Sequence, residues 1–528
     1  MPTELGDGAV HGDVAPRAPR ESVDRTSTVE DGRLVGGWIG AGGAVGPERV
    51  AIVFHGRTTT YRELDERSTR LALALLARGL RSVARVASVT ENHPEHVVLL
   101  FACAKAGLIL APLNWRLAPD ELRLQVELFD PSLVVVSATQ WSRVTADRAI
   151  TNHVFVHLEL LDDELVTPDA RGELPSVDQQ DGLLLIATSG TTGTPKGALL
   201  THANCYWTNR SLDASVPMTD EDVVLQVLPQ YHVGGWNVQP LLAWWRGATV
   251  VLESAFDAPH VLEVIQRHGV TTMMGVPTTY LMLAQHPAFD DADLTSLHTV
   301  IVGGAAMPRT LVDRWRERGV AVVQGYGLTE AAPNVCCLPS EEATRRPGSV
   351  GQPYRYVEVA IRDVNGDTLE GAGRGELWVR GPNVFAGYWS DPAATAAVMV
   401  DGWLDSGDVA ERDGDGFYRI VGRTKEMYVS GGENVFPVEV ERVLTAYEDV
   451  AEAAVVGVSD ATWGESGVAF VVARRGAAID VGALLAHCRN HLAAFKVPRS
   501  IEVVDELPQT HIGKVNKAVL RLRTNGGR

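Results

Sequence analysis

From about residue 34 to residue 340, short apolar runs alternate with stretches that are apolar on one face only. The runs VAIVF (50–54), DVVLQVL (222–228), ATVVLE (248–253), VTTMMGV (270–276), HTVIVGG (298–304) and VAVVQGY (320–326) have the length and β-branched content of buried strands. Between them, APHVLEVIQRHG (258–269) and PRTLVDRWRERG (308–319) repeat apolar residues at helical spacing. The second opens on proline and closes on glycine, as helices prefer. Strands alternating with helices predict an α/β fold built on largely parallel sheet. The longest apolar stretch, His96 to Leu113, carries Lys105 and reaches Pro112. It predicts a buried helix followed by a strand rather than a membrane span.

After residue 345 the pattern changes. VEVAIRDVNGDTLEG (357–371) and ERDGDGFYRIVGR (411–423) place Asn-Gly and Asp-Gly between β-type runs, which is hairpin chemistry. The last hundred residues read as a separate small α/β unit. AEAAVVGV (451–458), VAFVVARR (468–475) and SIEVVDE (500–506) predict strands. Val481, Leu484, Leu485, Cys488, Leu492 and Phe495 share one face of a helix over 481–496. Residues 1–33, rich in Gly, Pro and charged residues, carry no apolar signal core and read as a disordered tail.

Composition narrows the partners. A net charge of −19 over 528 residues argues against nucleic acid or an anionic membrane surface as partner. The five cysteines (103, 205, 336, 337, 488) show no C-x-x-C spacing, which speaks for a reducing compartment, the cytoplasm, and against structural zinc.

Candidate chemistry begins at Thr188-Ser189-Gly190-Thr191-Thr192-Gly193-Thr194-Pro195-Lys196-Gly197, set between two apolar runs. Glycines let backbone N–H groups approach an anion, hydroxyls donate further bonds, and lysine adds charge, so the loop suits phosphate. It is not a Walker loop, because no Gly-Lys-Ser/Thr occurs and the segment behind it reads as strand. Taken alone it is also an ordinary polar turn. Two predicted strands end in glycine-rich turns, Gly303-Gly304-Ala305 and Gln324-Gly325-Tyr326-Gly327-Leu328-Thr329-Glu330. Open α/β sheets bind ligands beyond such ends. Tyr326 can stack on a base, and Glu330 suits a magnesium ion. Asp408, after the turn Asp405-Ser406-Gly407, can accept from sugar hydroxyls. Lys514 lies in a polar turn. Residues 511–528 carry Lys514, Lys517, Arg521, Arg523 and Arg528 with no acid, a local basic patch in an acidic chain.

In type, order and spacing these blocks, together with Arg423, resemble the adenylate-forming superfamily, and its acyl-CoA synthetase branch above all. The resemblance covers essentially everything after the N-terminal tail. It implies an α/β fold with a large multi-sheet N-terminal domain (34–424) and a small mobile α+β C-terminal domain (425–528) turning about Lys425. By resemblance, Thr188, Ser189, Gly190, Thr191, Thr192 and Lys196 clamp the ATP phosphates. Gly304, Ala305, Gln324, Gly325 and Tyr326 hold adenine, and Asp408 and Arg423 hold ribose. Thr329 touches the α-phosphate, Glu330 with Thr191 holds Mg2+, and Lys514 bridges carboxylate and phosphate. Gly431 and Gly432 line a tunnel for the pantetheine arm of CoA. Trp207, His232, Val233, Gly234, Val276 and Gly327 line the acyl pocket, with Gly234 and Gly327 leaving room for the acid. Tyr231-His232-Val233-Gly234-Gly235-Trp236 offers no carboxylate to pair with an α-amino group, which disfavours amino acids, since a buried unpaired ammonium is costly. The implied activity is ATP-dependent activation of an aryl, cinnamic or fatty acid through acyl-AMP, then transfer to CoA. A carrier-protein thiol or another nucleophile is the alternative acceptor, and a dimer is compatible with the chain.

Overall fold

The computed structural model describes residues 32–44, 46–146, 153–166, 172–188, 195–424, 426–430, 433–460, 463–492, 494–510 and 514–525. Two large sheets form the body. In the nine-stranded sheet, six strands run parallel in the order Ala321–Gly327, Thr299–Val302, Thr272–Gly275, Val223–Gln226, Thr249–Leu252, Val50–Phe54. All six are strands expected from the apolar runs. The seven-stranded sheet is parallel from Phe155–His157 through Leu133–Val136, Arg85–Val89 and Ile109–Leu113 to Gly182–Thr188. It then turns antiparallel through Lys196–Thr201 to the two-residue edge strand Gly387–Tyr388.

One core cluster joins these sheets. It takes Ile52 and Val250 from the first, Val86, Leu110 and Leu184 from the second, and the helices Tyr61–Ala77 and Pro94–Ala106. The second of these helices buries ten of its thirteen residues, which is why its sequence is apolar all round. It stops at Gly107, whose φ of 68° is the left-handed cap that glycine takes without strain. The amine of Lys105 escapes the core by bonding Asp65, Ser68 and Thr69. Among the described residues no helix is long and apolar enough to cross a membrane.

A third, antiparallel sheet contains Glu358–Arg362, Gly373–Arg380, Trp403–Arg412 and Tyr418–Arg423. The Asp-Gly turn at 413–416 does close a hairpin, with Asp413 accepting from the N–H groups of Asp415 and Phe417. The C-terminal sheet pairs Val450–Asp460 with Gly464–Ala473 antiparallel, and Ser500–Val503 adds to it in parallel. One expectation needs correcting here. The helix predicted over 481–496 ends at His491, because Leu492 is extended (φ −125°, ψ 148°), and a single 3-10 turn, Ala494–Lys496, follows. Leu492 and Phe495 still pack on the same cluster, so the apolar spacing reported burial correctly but not the helix end.

Candidate active site

The C-terminal ends of the nine-stranded sheet and the hairpin of the third sheet meet at Asp408. Antiparallel register sets Asp408 opposite Arg423, and Arg423 Nε lies 3.0 Å from Asp408 Oδ1. The other carboxylate oxygen accepts from Tyr326 Oη at 2.5 Å. Asp408 is only 4% exposed, so its charge is held by these two donors rather than by water. Burial, and then the Asp408 charge, push the Tyr326 phenol well up, so it stays a donor. Arg423 is raised: burial, the largest single influence, lowers it, but Asp408, Tyr326 and Glu426 together outweigh that.

In the seven-stranded sheet, Thr188 sits opposite Lys196 across the base of the glycine loop. Ser189, Gly190, Thr191 and Thr192 lie outside the described residues, as do Lys425, Gly431 and Gly432. Lys196 Nζ stands 4.8 Å from the centroid of the Tyr388 ring. Tyr388 Oη in turn donates to Glu330 Oε1 at 2.9 Å. Glu330 lies with Thr329 in a single 3-10 turn directly after Tyr326-Gly327-Leu328, and its carbonyl accepts from Phe385 N–H at 2.9 Å.

The expected adenine and acyl walls adjoin. Gly304 has φ 80°, and a Cβ there would touch Val276 Cγ1 at 3.5 Å. Gln324 accepts from Met307 N–H, while its Nε2 is buried without a partner. The absent side chain of Gly327 does not leave room for an acid. A Cβ there would fall 1.8 Å from the Pro333 carbonyl oxygen, so backbone fills that space. At Gly234 the nearest atoms are the side chains of Leu228 and Val238, at 3.5 and 3.9 Å from such a Cβ. His232 packs tilted on Tyr231, Val233 is buried, and Trp207 stands edge-on to both Tyr206 and Tyr356. Trp236 and Trp244 are fully buried core.

The C-terminal unit closes on this site. Arg374 pairs with Glu439 at 2.9 Å and stacks its guanidinium 4.6 Å from the Phe436 ring. Lys514 stands exposed in the cleft, with its main chain tied back by Thr510. Desolvation by the surrounding protein lowers its pKa and Arg423 lowers it further, while Asp408, Glu426 and Glu330 oppose both. Three residues on, at the first position of the helix Lys517–Asn525, Lys517 is bonded at 2.8 Å to both Glu426 and Glu441. Truncating one member of a buried ion cluster strands the others. Glu441 is well buried but Glu426 is 37% exposed and partly screened, so Lys517→Ala should cost about 2–3 kcal/mol of folding stability, read by urea denaturation. A loss under about 1 kcal/mol would show that solvent already screens the cluster.

The sequence reading missed Tyr388 and Glu426, and named Lys517 only as part of a basic patch, not as the centre of an ion cluster. Tyr388 stands in Ala386-Gly387-Tyr388-Trp389, which reads as an unremarkable turn, and nothing local ties it to a carboxylate 58 residues upstream.

Residues 42–389 match the family model described as AMP-binding enzyme, and residues 439–514 match the AMP-binding enzyme C-terminal domain, with Lys514 as the last matched residue. The chain belongs to the AMP-binding enzyme family. Within that family it is an acyl-CoA synthetase, an AMP-forming acid–thiol ligase. It is 41% identical to a feruloyl-CoA synthase of Amycolatopsis over 93% of this chain and 99% of that one. To an indoleacetate–CoA ligase of Aromatoleum aromaticum it is 37% identical, over 92% and 97%. Its fold matches an o-succinylbenzoate CoA synthetase from Bacillus subtilis, solved with an acyl-adenylate intermediate, at TM-score 0.83 and 30% identity over 93% and 98% of the two chains.

Proposed function

We propose that this AMP-binding enzyme activates an aromatic carboxylic acid with ATP and passes the acyl group to the thiol of CoA. The carrying observation is that Lys514, from the C-terminal unit, lies within electrostatic reach of the Asp408–Arg423 pair and of Glu330, from three separate elements of the body. In the first step a carboxylate oxygen attacks the α-phosphorus and the bond to pyrophosphate breaks. In the second the CoA sulfur attacks the acyl carbon and AMP leaves.

Lys514 stabilises the charge that develops where the acid meets the α-phosphate, the kind of preorganised contact that carries most catalytic power. Asp408, already desolvated, accepts from the ribose hydroxyls, with Arg423 holding it in place. Tyr326, Gly304, Ala305, Gln324 and Gly325 form the adenine wall. Thr329 contacts the α-phosphate. Thr188, Lys196 and the loop between them take the outer phosphates. Glu330 meets Tyr388 through Oε1, which leaves Oε2 for a cation. Magnesium takes one or two carboxylates and completes its shell with phosphate and water oxygens, so a single glutamate fits it. Once bound, the ion would neutralise charge on the departing pyrophosphate. Lys425 is the hinge, and Gly431 and Gly432 line the CoA path.

The aromatic assignment rests on two supports. Feruloyl and indoleacetyl, the acyl groups in the names of two close relatives, both carry an aromatic ring. Trp207, expected from the sequence to line the acyl pocket, stands edge-on to two tyrosines, Tyr206 and Tyr356, and offers an aromatic face to such a ring. The test is pyrophosphate release with ATP and Mg2+ over benzoic, cinnamic, indoleacetic and short to long fatty acids, with and without CoA. The expected result is turnover of an aromatic acid, accelerated by CoA. Preference for fatty acids would overturn the substrate class. Release that CoA does not accelerate would move the acceptor to a carrier protein or another nucleophile.

A further inference from the structure

We infer that Tyr388 is a positioning residue that joins the cation-binding carboxylate to the phosphate-binding lysine and keeps the two from neutralising each other. The inference rests on the roles proposed above for Glu330 and Lys196.

Register places it. Tyr388 lies on the edge strand opposite Ala198, two residues along from Lys196. Residues two apart on a strand share a face, so the ring of Tyr388 is brought diagonally against Lys196. The ammonium rests 4.8 Å from its centroid, within cation–π range. Three further contacts hold the ring where it is. Its own N–H donates to Thr395 Oγ1 at 2.9 Å, Phe385 packs edge-on at 5.0 Å, and the hydroxyl donates to Glu330. The segment grips Glu330 twice, because Phe385 N–H also binds the Glu330 carbonyl. Burial, and then the charge of Glu330, push the phenol's pKa up, so it remains a donor at working pH.

A lysine and a glutamate that flank one ring would, without it, be able to pair directly, and each would then have to be pulled from the other before binding ligand. The phenol offers both a partial substitute. The ring face takes the ammonium without consuming a carboxylate. The hydroxyl takes one carboxylate oxygen and fixes the direction of the second. The lysine stays free to turn to phosphate, and the glutamate to the cation. Tyr388 touches neither substrate nor cation in this role. It acts through its two neighbours.

The test uses the full chain and an ATP analogue with a methylene bridge between the α- and β-phosphates, which cannot release pyrophosphate. Calorimetry follows analogue binding as Mg2+ is titrated, and again without Mg2+. Tyr388→Phe keeps the ring under Lys196 and deletes the bond to Glu330. It should need about tenfold more Mg2+ for half-saturation, while Mg2+-free binding stays within about twofold of wild type. Tyr388→Leu should weaken the Mg2+-free binding as well. In a Glu330→Gln background the effect of Tyr388→Phe on Mg2+ demand should vanish, which a general loss of packing would not produce. Equal Mg2+ demand in Tyr388→Phe and wild type would overturn the inference, as would a shift that persists without Glu330. Wild type that fails to bind the analogue at all would instead overturn the proposed nucleotide site, and the inference with it.

Discussion

Lys514→Ala is expected to lower the rate of acyl-adenylate formation by on the order of a hundredfold or more. It should largely spare thioester formation from supplied acyl-AMP and CoA. The split follows from placement. Lys514 belongs to the C-terminal unit, yet its pKa responds to Asp408, Arg423 and Glu330 of the body together. Its ammonium is therefore placed to meet negative charge that appears when the carboxylate attacks the α-phosphate. Attack by a thiol on a finished adenylate develops its charge at the acyl carbonyl instead. Single-turnover measurements of the two steps check this, and equal losses in both would remove Lys514 from its assigned role. The pH profile adds an independent reading. The amine must be protonated, so its contribution is present below its pKa and is lost as pH rises through it. Because desolvation and Arg423 lower that pKa from the ordinary 10.5, the alkaline limb of the adenylation profile should fall earlier than for a lysine with no protein groups around it. Lys514→Arg keeps the charge at any accessible pH, so whatever activity it retains should show no such limb.

How much of this could be read in advance depended on how local each determinant was. The six parallel strands announced themselves because strands covered on both faces are apolar end to end, as in Val300-Ile301-Val302. Asp408 and Arg423 were legible as a pair only through family resemblance. Their contact is set by the register of a hairpin in which a bulge between Val409 and Ala410 shifts the pairing. Gly327 was misread because glycine in a sequence says that a side chain is not tolerated, not what occupies its place. Here that is the carbonyl of Pro333, six residues on. The end of the 481–491 helix was misread for a related reason. Burial continues past His491 while the backbone turns extended, and apolar spacing records only the burial. Tyr388 and Lys517 depend on partners 58 and 91 residues distant, so no local pattern could single them out.

The second large effect is expected at Asp408. Asp408→Ala should raise KM for ATP by on the order of a hundredfold, because hydrogen bonds to a charged group are worth about 1.5–3 kcal/mol each and the carboxylate has one oxygen for each ribose hydroxyl. The free enzyme already bears the cost of desolvating Asp408, which is 4% exposed and held by Tyr326 and Arg423. The substrate therefore meets an acceptor whose direction is set before binding, which is what preorganisation contributes to affinity. Asp408→Asn is a finer probe. The amide keeps one acceptor oxygen and the shape of the side chain, but turns an N–H toward either Arg423 or the Tyr326 hydroxyl, so its loss should fall between wild type and alanine. Alanine also leaves the Arg423 guanidinium without its partner and asparagine removes its counter-charge, so a fall in folding stability of about 1–3 kcal/mol is expected alongside, larger for alanine. The two effects separate in the measurement. Lost folding is seen by denaturation without ligand, whereas the loss specific to ribose appears in KM for ATP at a temperature where both variants are fully folded. An Asp408→Ala enzyme with unchanged KM for ATP would show that Asp408 only braces Tyr326 and Arg423, and would move the ribose site elsewhere in the cleft.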